Sequence, residues 1–358
     1  MDKFQILGAL IAILLIVVIA IFSGTKLKKT KGKNDNGAGI VAGLIMGTLV
    51  GGSSTVGTAQ LAYNFGMSAW WFTLGGGIGC LILTIFYAKP FRKSGSPTLV
   101  GMLSGEYGSR VGMMSSILSS IGTFINIISQ LLAASAVMLV FLPTLGTTVT
   151  VLISAAIMAL YVVFGGTKGA GMVGTVKIIL LYVSMLICGM LALSKAGGSS
   201  ALIHSITALK ETTGINYFSL VARGASTDIS ACCSLILGIL TTQTYAQAII
   251  SAKSIRASRA GGLISALLIP PIGIMGIIVG LYMRTITNPQ IFDAKTALTQ
   301  FIMSYIPGIP GGIILGTLFI ASVGTGAGLA LGIATIINND IIQTVTKRFS
   351  DVKKSDFL

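Results

Sequence analysis

Seven small or hydroxyl-bearing residues, Gly51, Gly52, Ser53, Ser54, Thr55, Gly57 and Thr58, crowd into the otherwise apolar stretch 47–63 (GTLVGGSSTVGTAQLAY). A second cluster reads Thr241-Thr242-Gln243-Thr244-Tyr245, followed by Gln247. Asn126 and Gln130, and Ser322, Thr325 and Thr335, punctuate two further apolar runs. Their chemistry is that of uncharged hydrogen-bond donors and acceptors. Glycine disfavours a helix interior by about 1 kcal/mol relative to alanine, and Ser and Thr offer the backbone competing hydrogen bonds. In hydrocarbon such a stretch is tolerated only where freed backbone groups line a cavity or pack on protein. Taken alone, 47–63 fits either a discontinuous helix at a binding site or a seam of small residues for close helix packing.

Other chemistries lack their residues. Cys80, Cys188, Cys232 and Cys233 lie in apolar runs without metal-ligand spacing and read as buried apolar fillers. The single histidine, His204, cannot build a multi-His metal site. No carboxylate pair, Ser-His-Asp set or phosphate loop is visible, so an enzyme is not expected. Lys177, Asp228 and Asp340 read as residues near span ends, served by snorkelling or water.

The elements that must position these residues are membrane helices. Of 358 residues 53% are apolar and 9% charged, with a mean hydropathy of +0.92, whereas soluble domains carry roughly a quarter charged residues. Apolar runs at 4–22, 38–62, 68–88, 112–141, 146–164, 171–194, 229–250, 260–283 and 311–338 predict nine transmembrane helices. The first is too long, and its flank too neutral, for a cleaved signal peptide. A net charge of +15 would suggest nucleic acid in a soluble protein. Here 18 of the 24 Lys and Arg fall on one side when the N-terminus is placed outside and the C-terminus in the cytoplasm. The positive-inside rule therefore explains the charge, and no nucleic-acid partner is expected. Gly43, Gly47 and Gly51, and later Gly312 and Gly316, then Gly324, Gly328 and Gly332, repeat at four-residue spacing, which lets helix backbones approach. Pro270-Pro271 predicts a kink.

Polar breaks in two spans five helices apart are the pattern of an inverted-repeat transporter. In that architecture half-helix ends and unwound carbonyls hold substrate and ion near the midplane. The residues also resemble a known family. GGSSTVGTAQLAYNFGMSAWW is similar to the first core helix of the sodium:solute symporter family. Thr98-Leu99 with Glu106-Tyr107-Gly108, the segment QTYAQAIISAKSIRASRAGG at 243–262, and the ninth span ending Asn339-Asp340-Ile341 match further motifs in family order. The likeness runs over about 38–348, and the helix at 4–22 matches an extra N-terminal helix that many members carry.

The resemblance implies a five-plus-five inverted repeat of leucine-transporter type in one transmembrane domain. Its parts would be an extra helix and basic cytoplasmic loop at 1–37, a first repeat at 38–194, an outer loop at 195–228, a second repeat at 229–346 and a cytoplasmic tail at 347–358. It implies a Na⁺ site made by Gly47 and Val50 at the first break with Ala321, Gly324 and Thr325, oxygen ligands suiting a hard cation. It places a solute near Ser53, Ser54, Gln130, Thr242 and Gln243, with Tyr245 as a gate or packing aromatic. There are two departures. The family usually has Ser before Ser or Thr where this chain has Gly324-Thr325, one side-chain oxygen fewer. The sequence also stops about where core helix eight ends, so the last two core helices are missing from it. A split or truncated product, a partner chain completing the fold, or a reduced member would each fit.

The expected function is secondary active uptake, by Na⁺-coupled alternating access, of a small neutral or zwitterionic solute across the cell (plasma or inner) membrane. The absence of fixed charge among the polar residues argues against a strongly charged solute, although helix N-termini can hold a carboxylate. An uncoupled facilitator or channel is the first alternative, with Gly324 in its favour. A non-transporting membrane subunit or sensor is the second.

Overall fold

The computed structural model describes the backbone of residues 3–27 and 36–342, and the side chains of these except at 16–17, 19–27 and 164–173. The basic loop at 28–33 and the tail at 347–358 lie outside the described residues.

Among the described residues fourteen α-helices follow one another: α1 (Lys3–Leu27), α2 (Ala38–Leu49), α3 (Thr58–Phe65), α4 (Trp71–Ile82), α5 (Ala88–Lys93), α6 (Leu99–Tyr107), α7 (Ser109–Phe141), α8 (Gly146–Lys195), α9 (Ser199–Thr213), α10 (Ala225–Thr241), α11 (Gln243–Ile250), α12 (Ile255–Ile286), α13 (Ala297–Tyr305) and α14 (Gly308–Ile336). A π-helical turn over Ser53–Gly57 leads into α3. Among the described residues six helices are long and apolar enough to cross a membrane, or seven if α10 and α11 count as one bent span. Two of the six, Pro143–Val163 and Gly174–Lys195, match the spans expected at 146–164 and 171–194, and α8 runs through both.

α14 is the buried axis of the bundle, with α1, α7, α8 and α2 packed around it. Its glycine stripe explains the close packing. A Cβ on Gly312 would collide with the Gln5 carbonyl of α1, one on Gly328 with Thr48 of α2, and one on Gly332 would lie 2.5 Å from the Thr244 hydroxyl of α11. The packing reading of these glycines holds. α2 and α8 meet through glycines as well: a Cβ on Gly47 would lie 2.8 Å from the Gly174 Cα, and one on Gly174 would collide with the Gly43 carbonyl.

Pro270 and Pro271 sit inside the continuous helix α12. Two of the carbonyls there are taken from outside the helix, Leu268 by the Tyr182 hydroxyl and Pro270 by the Trp70 indole N–H at 3.1 Å. Of the cysteines, Cys80, Cys188 and Cys232 are buried as expected, while Cys233 is exposed on the outer face of α10. Asp228 is fully buried and held in an ion pair with Arg223 at 2.6 Å, rather than served by water.

Candidate functional site

Both predicted breaks exist. α2 ends at Leu49, and Val50 turns to an extended backbone (φ −90°, ψ 102°) before the π-helical turn begins. α10 ends at Thr241, and Thr242 adopts almost the same conformation (φ −81°, ψ 124°) before α11 leaves at a bend of 49°. The local cause is the one read from the sequence: small residues remove the steric case for a helix, and hydroxyls supply substitute partners. At Gly51 the packing itself demands glycine, because a Cβ would lie 2.8 Å from Gln130 Oε1 and collide with the Thr325 hydroxyl.

A break buried among helices must still satisfy its backbone. On the N–H side, the amide of Gly51 donates to Ser54 Oγ at 2.8 Å and that of Gly52 to Gln130 Oε1 at 3.1 Å. Gln130 Nε2 then donates to Ser53 Oγ at 3.0 Å, and Ser53 shares a hydrogen bond with Ser129 at 3.0 Å. On the carbonyl side, the Tyr245 hydroxyl donates to Thr48 at 3.4 Å. Thr325 Oγ1 lies 3.3 Å from the carbonyl oxygens of both Gly47 and Val50 and donates its one hydrogen between them.

The remaining partner is Lys177. Its ammonium nitrogen donates to the carbonyl oxygens of Gly47 at 2.5 Å and Ala321 at 3.2 Å, and to Thr325 Oγ1 at 2.9 Å. Three donors meet three oxygens, and Lys177 is 1% exposed. The sequence reading of Lys177 as a residue near a span end, reached by snorkelling or water, is therefore corrected. Gly174, one helical turn earlier on the same face of α8, presses against Gly43 and Gly47, and that contact carries the Lys177 stem into the break. Among the described residues no carboxylate neutralises it. α2, α14 and α7, like α1 and α12, pack on α8 without an Asp or Glu in any of them. The negative end of the α2 dipole, whose terminal carbonyls lack partners within the helix, faces the ammonium instead.

The residues expected at an ion site, Gly47, Val50, Ala321 and Thr325, are thus brought together, with Gly324 beside them. A Cβ built on Gly324 would lie 3.6 Å from Lys177 Cδ and 3.9 Å from its ammonium nitrogen. The missing side chain at 324 leaves the space the lysine runs past. These oxygens fit an ammonium, and as arranged they do not fit a resident sodium ion, because three of them already accept from Lys177.

The residues expected at the solute divide into two groups. Ser53 lines a cavity of about 490 Å³ between α3 and α7, together with Thr58, Gln60, Asn64, Ser129 and Phe72. Ser54 and Gln130 stand behind it as backbone partners of the break. Thr242, Gln243 and Tyr245 lie elsewhere. Thr242 Oγ1 donates back to the Gly238 carbonyl at 2.6 Å, and Tyr245 is committed to Thr48. Gln243 accepts from the Leu99 amide at 2.8 Å and donates to the Pro97 carbonyl at 3.3 Å, tying α11 to the start of α6. Beside it Thr98 donates to Asp340 Oδ1 at 2.8 Å and caps α6 through the Gly101 amide at 2.9 Å.

The model of the sodium:solute symporter family matches residues 35–356. The chain belongs to that family. Among curated relatives it is 28% identical over 193 residues to the uncharacterized symporter YwcA of Bacillus subtilis (strain 168), covering 52% of this chain and 37% of the relative. It is 25% identical over 268 residues to the high-affinity choline transporter 1 of Caenorhabditis elegans, covering 71% and 45%, and 25% identical over 202 residues to that of Homo sapiens, covering 53% and 35%. The matches thus span less than half the length of these relatives. A solved structure of a Na⁺-coupled sialic acid symporter in a substrate-bound outward-open state superposes with a TM-score of 0.76 at 17% identity, over 95% of this chain and 75% of that one. At that identity the likeness carries the fold alone.

Proposed function

We propose that this chain is a secondary transporter that moves a small neutral or zwitterionic solute by alternating access, in the uptake direction. The observation that carries the reading is the pair of matching breaks at Val50 and Thr242, the first of which exposes Ser53 to a cavity of about 490 Å³. That volume lies in the range of small-molecule sites. Its polar lining is mainly neutral, and the two charges on its rim, Asp293 and Lys295, are of opposite sign. Membership of a symporter family supports the same reading. The accompanying topology is nine spans, with the N-terminus outside and the C-terminus in the cytoplasm, supported by the distribution of the basic residues, 17 of 23 falling inside once the buried Lys177 is left out. Sodium coupling is the family's habit, and the oxygens of the first break and of α14 would be its place here. Their engagement by Lys177 favours solute movement that does not depend on sodium.

The test is uptake by proteoliposomes holding the full chain, screened with labelled zwitterionic amino acids, betaines and sugars. Uptake of one class, abolished by filling the cavity with Ser53→Trp, is the expected result. Uptake that survives Ser53→Trp unchanged would remove the cavity from the pathway, and protein-free levels for every solute in a well-folded preparation would count against transport.

A further inference from the structure

We propose that the ammonium of Lys177 is the resident cation of the site between α2 and α14, standing where a sodium ion would stand, so that this site holds no sodium. The inference rests on the transporter reading only for its consequence; the site itself is defined by coordinates. Four observations converge on it. The carbonyl oxygens of Gly47 and Ala321 and the hydroxyl of Thr325 all lie within 3.2 Å of one nitrogen. These oxygens come from two different helices and are neutral, a donor set suited to a monovalent cation. No other described group competes for the charge. The charged residues on the helices packed against α8 are Lys3 and Lys26 of α1, Arg110 of α7, and Arg256, Arg259 and Arg284 of α12, all basic. The other titratable groups there are Tyr161, Tyr182 and Cys188 of α8 itself and Tyr282 of α12, and none of them is a counter-ion.

The fourth observation links Gly324 to Lys177. Position 324 lacks a side-chain oxygen, which by itself would weaken a cation site. The lysine stem passes 3.6 Å from where that side chain would begin. The site that lacks one side-chain oxygen at 324 is the site that the tethered ammonium fills, a covalently attached cation held by few ligands. A tethered cation needs less coordination, because the chain and not the ligand set fixes its position. It also cannot be released with the solute, so this site by itself cannot draw on a sodium gradient.

The test measures ²²Na⁺ binding to the purified full chain in detergent, with no need of a solute. The wild type should show no saturable binding that Thr325→Ala removes. Lys177→Ala combined with Gly324→Ser should create one saturable sodium site per chain, and adding Thr325→Ala should abolish it. Lys177→Met, which keeps an apolar stem in place, should bind none. Saturable sodium binding by the wild type that is lost on Thr325→Ala would overturn the proposal. So would a double variant that elutes and melts like the wild type yet gains no binding. Failure of the uptake screen would strike the transporter reading and leave these binding outcomes untouched.

Discussion

The ammonium nitrogen of Lys177 lies 3.9 Å from where a side chain on Gly324 would begin, and the two residues face each other across the join of α8 and α14. A small residue at 324 leaves the lysine its path. A serine at 324 would meet the stem at ordinary contact distance, whereas a larger side chain would push it out of the break. Gly324→Leu should destabilise the protein by about 1–3 kcal/mol through overpacking, read as a lowered melting temperature in detergent. Gly324→Ser should melt within a few degrees of the wild type. Equal effects of the two would deny that the lysine occupies this space.

Thr325 ties three things at one oxygen: it accepts from Lys177 and donates to the carbonyls that end α2. Thr325→Val keeps the shape and removes the hydroxyl, leaving a buried charged donor and carbonyls short of a partner. The cost should be about 1–3 kcal/mol, and Thr325→Ser should restore most of it. A melting curve for Thr325→Val that overlays the wild type would mean that the hydroxyl carries none of the join.

Gln130 holds the other side of the break, accepting from the Gly52 amide and donating to Ser53. Gln130→Leu orphans a buried N–H, at a cost of about 1–3 kcal/mol, and frees Ser53 at the edge of the cavity. Reduced stability should therefore accompany reduced solute uptake. Loss of uptake with unchanged stability would instead assign Gln130 to direct solute contact.

Much of this architecture was legible in the chain. The breaks at Val50 and Thr242 follow from glycines and hydroxyls that make a continuous helix unfavourable at those points, and the glycine stripe of α14 announced close neighbours. Thr325, Gly47 and Ala321 could be grouped through family resemblance alone, since no spacing rule joins residues almost 280 positions apart. Lys177 was missed because six residues into an apolar run reads as a span end, and its burial depends on which face of α8 meets α2. Gly174, one turn before it, was the available signal: a small residue marks the face that packs, and Lys177 shares that face. The solute residues divided for a similar reason. Gln243 looked like a binding residue because it follows a break, but its partners are Leu99, the first residue of α6, and Pro97 in the loop before it, whose position the sequence does not specify.

Gln243 and Thr98 hold the start of α6. Gln243 fastens the start of α6 to α11, and Thr98 fastens it to Asp340 beyond α14. Gln243→Ala together with Thr98→Val should speed amide hydrogen exchange over 97–102 by an order of magnitude or more, as local opening loses about 1–2 kcal/mol of restraint. Exchange over the Val50 break should stay slow. Unchanged protection at 97–102 would show that these bonds do not hold the segment.

The most direct measurement is the initial rate of solute uptake into proteoliposomes of the wild-type chain, with external sodium present or fully replaced by potassium. If Lys177 supplies the cation that joins α2 to α14, the two rates are equal within error. Collapse of uptake when sodium is withdrawn would contradict the account.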